Sequence, residues 1–352
     1  EKKNDYLLNK VIFVSEQSVE SMPLVVQNGI RFGEAVNVAK QLVNEPANEM
    51  TPRKLAEMAQ KTGNSFDFEV KVYDEKKIAS FGMEAFINVA KGSDNQPRLI
   101  VMHHKGDPNH PHDIIGLIGK GLTFDTGGYN LKPGEGMGNM KNDMGGAAAV
   151  IGAMAAITTL KLKVNVVAVI AAAENMISGD AYRPGDIITS MAGKTIEVVN
   201  TDAEGRLTLV DAIHYALEKE KVERVLDIAT LTGAAVAALG HEFSAVLGNT
   251  PEWLDQIKDA AEFSGESVWQ MPLHEPYKEL IKSEIADLKN SGGSLAGCIT
   301  AALFIQEFVQ NKPWIHLDIA GTALRDKESG INSYGATGVG VRLLTSLLRN
   351  ME

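Results

Sequence analysis

At 352 residues, 44% hydrophobic and 22% charged, the chain can hold a large core or two domains, and nothing in its middle reads as a linker. A net charge of -11 argues against general affinity for nucleic acid or acidic membrane surfaces. The single cysteine, Cys298, excludes an internal disulfide framework and suits a reducing cytoplasm, while no signal pattern opens the chain and the longest apolar runs are too short to span a bilayer.

Residues 10–14 read as a short strand. Over 33–43, Ala35, Val36, Val38, Ala39, Leu42 and Val43 fall at helical spacing. Thr51 and Pro52 start a second helix, the hydroxyl as N-cap and the proline in the first position. Short β-rich runs then alternate with helical stretches, at 68–73, 99–103, 114–118, 164–170, 195–199, 224–228 and 314–319. Several are continuously apolar, as strands covered on both faces are. The alternation predicts an α/β fold of three layers, α/β/α, with a largely parallel central sheet and mixed edge strands. No internal repeat or low-complexity tract interrupts it.

The residues with chemistry follow these runs. Lys120 and Asp125 come after 114–118, Glu174 after the apolar run 164–173, Asp202 and Glu204 after 195–199, and Thr230 to Gly233 after 224–228. Ligands of open α/β sheets bind at the carboxyl ends of the strands, so these groups are expected on one rim. A helix from about Glu204 to Glu218 would aim its positive end there.

Singly, Asp125, Asp143, Asp202 and Glu204 are ordinary turn formers, and Asp202 is a natural N-cap. Together their repulsion needs cations to offset it. Oxygen ligands suit divalent ions, and carboxylates shared between two ions would hold a two-metal hydrolytic site. Gly127-Gly128 and Gly145-Gly146 allow tight turns and close backbone approach. His241-Glu242 and His274-Glu275 lack a second histidine four residues on, which disfavours a zincin. Gly119-Lys120-Gly121 is not a Walker loop, and the glycines at 134, 136 and 138 are wrongly spaced for a dinucleotide fingerprint.

The stretches 119–128 and 140–144, and the run Asn200-Thr201-Asp202-Ala203-Glu204-Gly205-Arg206-Leu207, resemble the signature of the leucyl aminopeptidase family, cytosolic two-metal exopeptidases. Residues 44–48, 174–179, 229–233 and 316–322 are similar to the same family, and the resemblance runs from about Gly33 to Leu348. Thr126 departs from a common serine and Asn142 from a frequent aromatic. Residues 1–30 are therefore expected to be a remnant or linker from a missing N-terminal domain, and 31–352 the metallopeptidase catalytic domain.

The resemblance implies two divalent ions, Mn²⁺ or Zn²⁺ with Mg²⁺ as an alternative. Asp125 and Glu204 would bridge them, Asp143 would complete one site and Asp202 the other. Lys120 would be a fifth ligand, as an amine made neutral by burial and nearby dications. Lys132 would polarise the scissile carbonyl and stabilise the oxyanion. Arg206 would hold a bicarbonate that takes a proton from a metal-bridging water. Met140, Thr230 and Gly233 would line an apolar pocket, and Leu231 and Gly233 would offer backbone groups to the peptide.

The implied activity is release of N-terminal amino acids from peptides, leucine and other apolar residues first. Tolerance should be broad, because an apolar pocket separates single methylenes by only about 1–3 kcal/mol. The family also implies a homohexamer. The rivals are another two-metal hydrolase acting on amides or phosphoesters, an inactive scaffold, and the DNA-binding role of some family members. Seven intact site residues oppose the scaffold, and the missing basic stripe opposes DNA.

Overall fold

The structure is a computed structural model that describes residues 10–14, 20, 22–328 and 330–352. Its strands, in chain order, are β1 (Glu69–Tyr73), β2 (Arg98–Lys105), β3 (Ile114–Asp125), β4 (Asn165–Asn175), β5 (Ile187–Thr189), β6 (Thr195–Glu197), β7 (Arg224–Ala229), β8 (Ser244–Gly248), β9 (Val268–Gln270), β10 (Leu288–Lys289), β11 (Trp314–Asp318), β12 (Leu324–Arg325) and β13 (Gly335–Ala336), the last two paired with each other. Eight of them form one sheet in the order β1-β2-β4-β3-β7-β11-β8-β9. The four central strands, β4, β3, β7 and β11, run parallel. β1 and β2 are antiparallel additions at one side and β8 at the other.

Side-chain alternation along β4 divides the core in two. Val166, Ala168, Ile170 and Ala172 pack on one face of the sheet, Val167, Val169, Ala171 and Ala173 on the other. Helices Met22–Asn44, Pro52–Phe66, Gly145–Leu160, Pro251–Ser264 and Val341–Arg349 cover the first face. Helices Glu84–Ala90, Gly205–Glu218 and Gly297–Gln306 cover the second. These are the three layers expected, with the mixed edges. By length and hydropathy the stretch Gly134–Leu160 could cross a bilayer, but 83% of its apolar window is buried inside the protein.

Thr51 caps the helix Pro52–Phe66 as its sequence predicts, accepting a hydrogen bond from the Lys54 amide at 3.3 Å. Other expectations need correction. Residues 10–14 form no strand and lie exposed: nothing among the described residues offers them a ladder. The first helix begins at Met22, well before residue 33. β3 runs on to Asp125, so Lys120 lies within a strand rather than after one. The glycines at 116, 119 and 121 disguise that extension. β6 joins a separate small sheet of order β10-β6-β5, so Asp202 and Glu204 do not follow a main-sheet strand.

Candidate metal centre

β3 delivers Lys120 and Asp125 to the carboxyl rim, and the segment before the helix Gly145–Leu160 delivers Asp143. The turn between β6 and the helix Gly205–Glu218 supplies Asp202 and Glu204. A second turn, at 127–128, swings Lys132 back over them; Gly127 (φ 86°) and Gly128 (φ 62°) supply the left-handed backbone it needs.

Carboxylate oxygens of Asp125, Asp143 and Glu204, all buried, lie within 4.8 Å of one another. Two lysines thread the cluster. Lys120 Nζ lies 2.9 Å from Asp143 Oδ2 and 2.9 Å from Glu204 Oε1, and donates to the Thr230 carbonyl at 3.1 Å. Lys132 Nζ lies 2.8 Å from Asp125 Oδ2 and 2.5 Å from Asp202 Oδ1. Asp202 does not cap the following helix; that cap position is Glu204, whose side chain makes no capping bond.

The electrostatics are those of a site built for more positive charge. Burial, then repulsion from Asp125 and Asp143, pushes the Glu204 carboxyl up to about 8. Burial lifts Asp143 to about 6 against the pull of Lys120. Burial and Asp125 also raise Asp202. Burial would lower Lys120, but Asp143, Glu204 and Asp125 outweigh it and hold the ammonium above its usual value. The same contest, between burial and Asp125, Glu204 and Asp202, raises Lys132. Glu204 Oε2 is buried and accepts no hydrogen bond from the described residues. An unpaired buried carboxylate oxygen is costly, and a cation would use it. The donor set, four carboxylates and an amine, fits hard or borderline divalent ions.

All eleven residues singled out in the sequence line one cleft of about 680 Å³. Arg206 sits in the first turn of the helix Gly205–Glu218, where burial lowers it to about 10. It donates to the Asn290 carbonyl at 2.9 Å, while its Nε is buried and has no hydrogen-bond partner among the described residues. Met140, Thr230, Leu231 and Gly233 line the cleft around it. The Leu231 amide is taken by Asp318 Oδ1 at 3.1 Å. Glu174 points away from the carboxylates and accepts from Ser93 and Asn95.

Several supporting groups were not anticipated. Thr230 Oγ1 donates to Asp143 Oδ1 at 2.8 Å, so it orients that acid as well as lining the cleft. Asn175 Nδ2 donates to Asp125 Oδ1 at 2.7 Å and to the Thr201 carbonyl at 3.0 Å. Asp318 accepts Thr232 Oγ1 at 2.6 Å and fixes the 231–232 turn. The signal for them was position: each lies within or beside a stretch already marked, but an amide or hydroxyl there is indistinguishable from an ordinary turn residue.

Similarity to known proteins identifies the family. The family model described as "Cytosol aminopeptidase family, catalytic domain" matches residues 37–345. A probable cytosol aminopeptidase of Clostridium perfringens (strain 13 / Type A) is 54% identical over 334 residues, covering 95% of this chain and 68% of that protein. A probable cytosol aminopeptidase of Alkaliphilus oremlandii (strain OhILAs) is 51% identical over 99% of this chain and 68% of its own length. Among solved structures, a bottromycin maturation enzyme, BotP, in complex with Mn superposes with a TM-score of 0.91 at 36% identity, over 95% of this chain and 73% of that one. With its buried carboxylate cluster at the sheet rim, the chain belongs to the cytosol aminopeptidase family, the metal-dependent aminopeptidases.

Proposed function

We propose that the chain releases N-terminal amino acids from peptides, apolar ones by preference and with broad tolerance, at a pair of divalent ions. The observation that carries this is the triad of buried carboxylates within 4.8 Å, one of them with an oxygen that accepts no hydrogen bond from the described residues. Asp125 and Glu204 would be shared between the ions, with Asp143 and Asp202 one to each. Lys120, once its proton is lost, would add its amine. Mn²⁺ is the first choice, because the neighbouring BotP structure is a complex with Mn; Zn²⁺ and Mg²⁺ are the alternatives. Bound there, the ions supply Lewis acidity for a scissile carbonyl and make a water a better nucleophile near neutral pH.

The chain's own side chains do the rest. Lys132 is one-fifth exposed at the cleft, so its ammonium can leave Asp125 and Asp202 for the oxyanion as it forms. Arg206 presents a buried, unpartnered Nε, which suits an anion such as bicarbonate placed to accept a proton. Thr230 keeps its hydroxyl on Asp143, leaving its methyl for the pocket that it forms with Met140 and Gly233. Leu231 has only its carbonyl free for substrate, the amide being spent on Asp318.

The catalytic unit is taken as 31–352, assembled as a homohexamer in the cytoplasm; the names of the relatives and one buried, unpaired cysteine support that setting. Chelation should abolish release of p-nitroaniline from leucine-p-nitroanilide. Returning Mn²⁺ should restore it, with two ions per chain by metal analysis. Activity that survives full metal removal overturns the proposal, and hydrolysis of phosphomonoesters in place of peptides moves it to a phosphoesterase.

A further inference from the structure

We infer that Asn290 is a positioning residue that holds the metal-ligand turn 199–204 and Arg206 in one frame. Asn290 is fully buried, just after β10 in the small sheet, and belongs to none of the motifs above. Its side chain spends its hydrogen-bonding capacity on a single turn. Oδ1 accepts from the Val199 amide at 2.9 Å and the Asn200 amide at 3.3 Å. Nδ2 donates to the Asn200 carbonyl at 2.6 Å and the Ala203 carbonyl at 3.4 Å. Its backbone carbonyl takes Arg206 Nη1 at 2.9 Å, and its backbone amide donates to the Glu197 carbonyl at 3.0 Å.

The turn it grips carries Asp202 and Glu204 on either side of Ala203. Other bonds fix the middle of that turn: Asp202 N donates to Asn200 Oδ1, the Ala203 amide to the Asn200 carbonyl, Thr201 is tied to Asn130 and Gly127, and the Thr201 carbonyl accepts from Asn175 and Tyr182, whereas Asn290 spans the turn from Val199 to Ala203. A primary amide is the one side chain of this size that offers an acceptor to two N–H groups and a donor to two carbonyls together. Removing it takes a partner from the Val199 and Asn200 amides and from the Ala203 carbonyl in a closed space. Two proposed ligands and a guanidinium, all on one short segment, thus share one residue that grips the segment at both ends. Groups that orient ligands in this way typically matter about 10–100-fold in metal affinity or activity.

The inference rests on the proposed metal site, and the test separates the two. Mn²⁺ affinity is measured by calorimetric titration, and kcat and KM on leucine-p-nitroanilide, for the full chain, Asn290→Ala and Asn290→Asp. Asn290→Asp keeps the acceptor and size but turns a second oxygen towards the Asn200 and Ala203 carbonyls. In the variants that stay folded at the assay temperature, Mn²⁺ affinity and kcat should each fall about tenfold or more, with KM within threefold. A folded variant with either quantity within twofold of the unaltered chain overturns the inference, since one frame cannot fail in half. If Asn290→Ala does not fold, Asn290→Asp alone decides. An unaltered chain that binds no Mn²⁺ in the same titration sinks the proposed site itself, a different result.

Discussion

A Cβ built on Gly205 would lie 2.5 Å from Cε and 2.6 Å from Nζ of Lys120, so the first residue of the helix Gly205–Glu218 is bare where the Lys120 side chain passes over it. Gly205→Ala should therefore displace Lys120 from Asp143 and Glu204. Alanine is the better helix former by up to about 1 kcal/mol, so global stability has no reason to collapse. Activity and metal affinity should fall at least tenfold while the melting temperature changes little, measured by turnover, metal titration and thermal melts. Full activity would mean that Lys120 is not held where the structure has it.

Glu204→Gln keeps the size of the side chain and removes one charge from the centre of the cluster. Metal content and turnover should fall together, by elemental analysis and leucine-p-nitroanilide hydrolysis on the same sample. Full turnover at two metals per chain contradicts a bridging role.

Lys132→Ala should leave both metals bound and lower kcat by roughly 10²–10³ if its share resembles that of one oxyanion donor. The two carboxylates it contacts, Asp125 and Asp202, are proposed metal ligands, so bound cations would replace the lost ammonium. Loss of metal with turnover per bound metal retained would make Lys132 structural.

Asp211 lies away from the cleft, in the helix Gly205–Glu218, and burial lifts it to about 7 although the Met191 and Phe86 amides donate to it. An unfolded aspartate titrates near 3.9, so the folded state holds the proton over the interval between. Its contribution to stability is full below about pH 4 and is lost as pH rises towards 7. Urea midpoints should therefore lose part of their fall between pH 4.5 and 7 in Asp211→Asn, which mimics the protonated form. An unchanged slope would show that Asp211 is already ionised in the fold.

Much of this was legible before the fold. The β-rich runs placed six of the eight main-sheet strands, and the family resemblance pointed to the eleven residues that line the cleft. β8 and β9 were not marked: β8 pairs antiparallel with β11, and the three-residue β9 forms the edge beside it. Lys120 escaped as a strand residue because glycines on both sides mimic a loop. Its ion pairs with Asp143 and Glu204 are contacts across 23 and 84 positions of the chain, which no local pattern reports. Asn290 and Thr230 act through hydrogen bonds of the same long range. Asp202 shows the opposite limit: local rules made it a helix cap, and the pairing with Lys132 took it elsewhere.

The central claim is that the cluster anchors a free amino terminus, and the end of the peptide attacked tests it most directly. A metal site with spare coordination can take a neutral α-amine, whose pKa of about 7.7–8.0 requires a proton to leave first. The measurement is the rate of cleavage of a leucyl-glycyl peptide with Mn²⁺, with and without an N-acetyl cap, from pH 6.5 to 9. The free peptide should be cleaved faster as pH rises through 8, releasing leucine, and the capped peptide should be cleaved at least a hundredfold more slowly at every pH. Equal cleavage of the two would contradict an aminopeptidase and leave a general amidohydrolase.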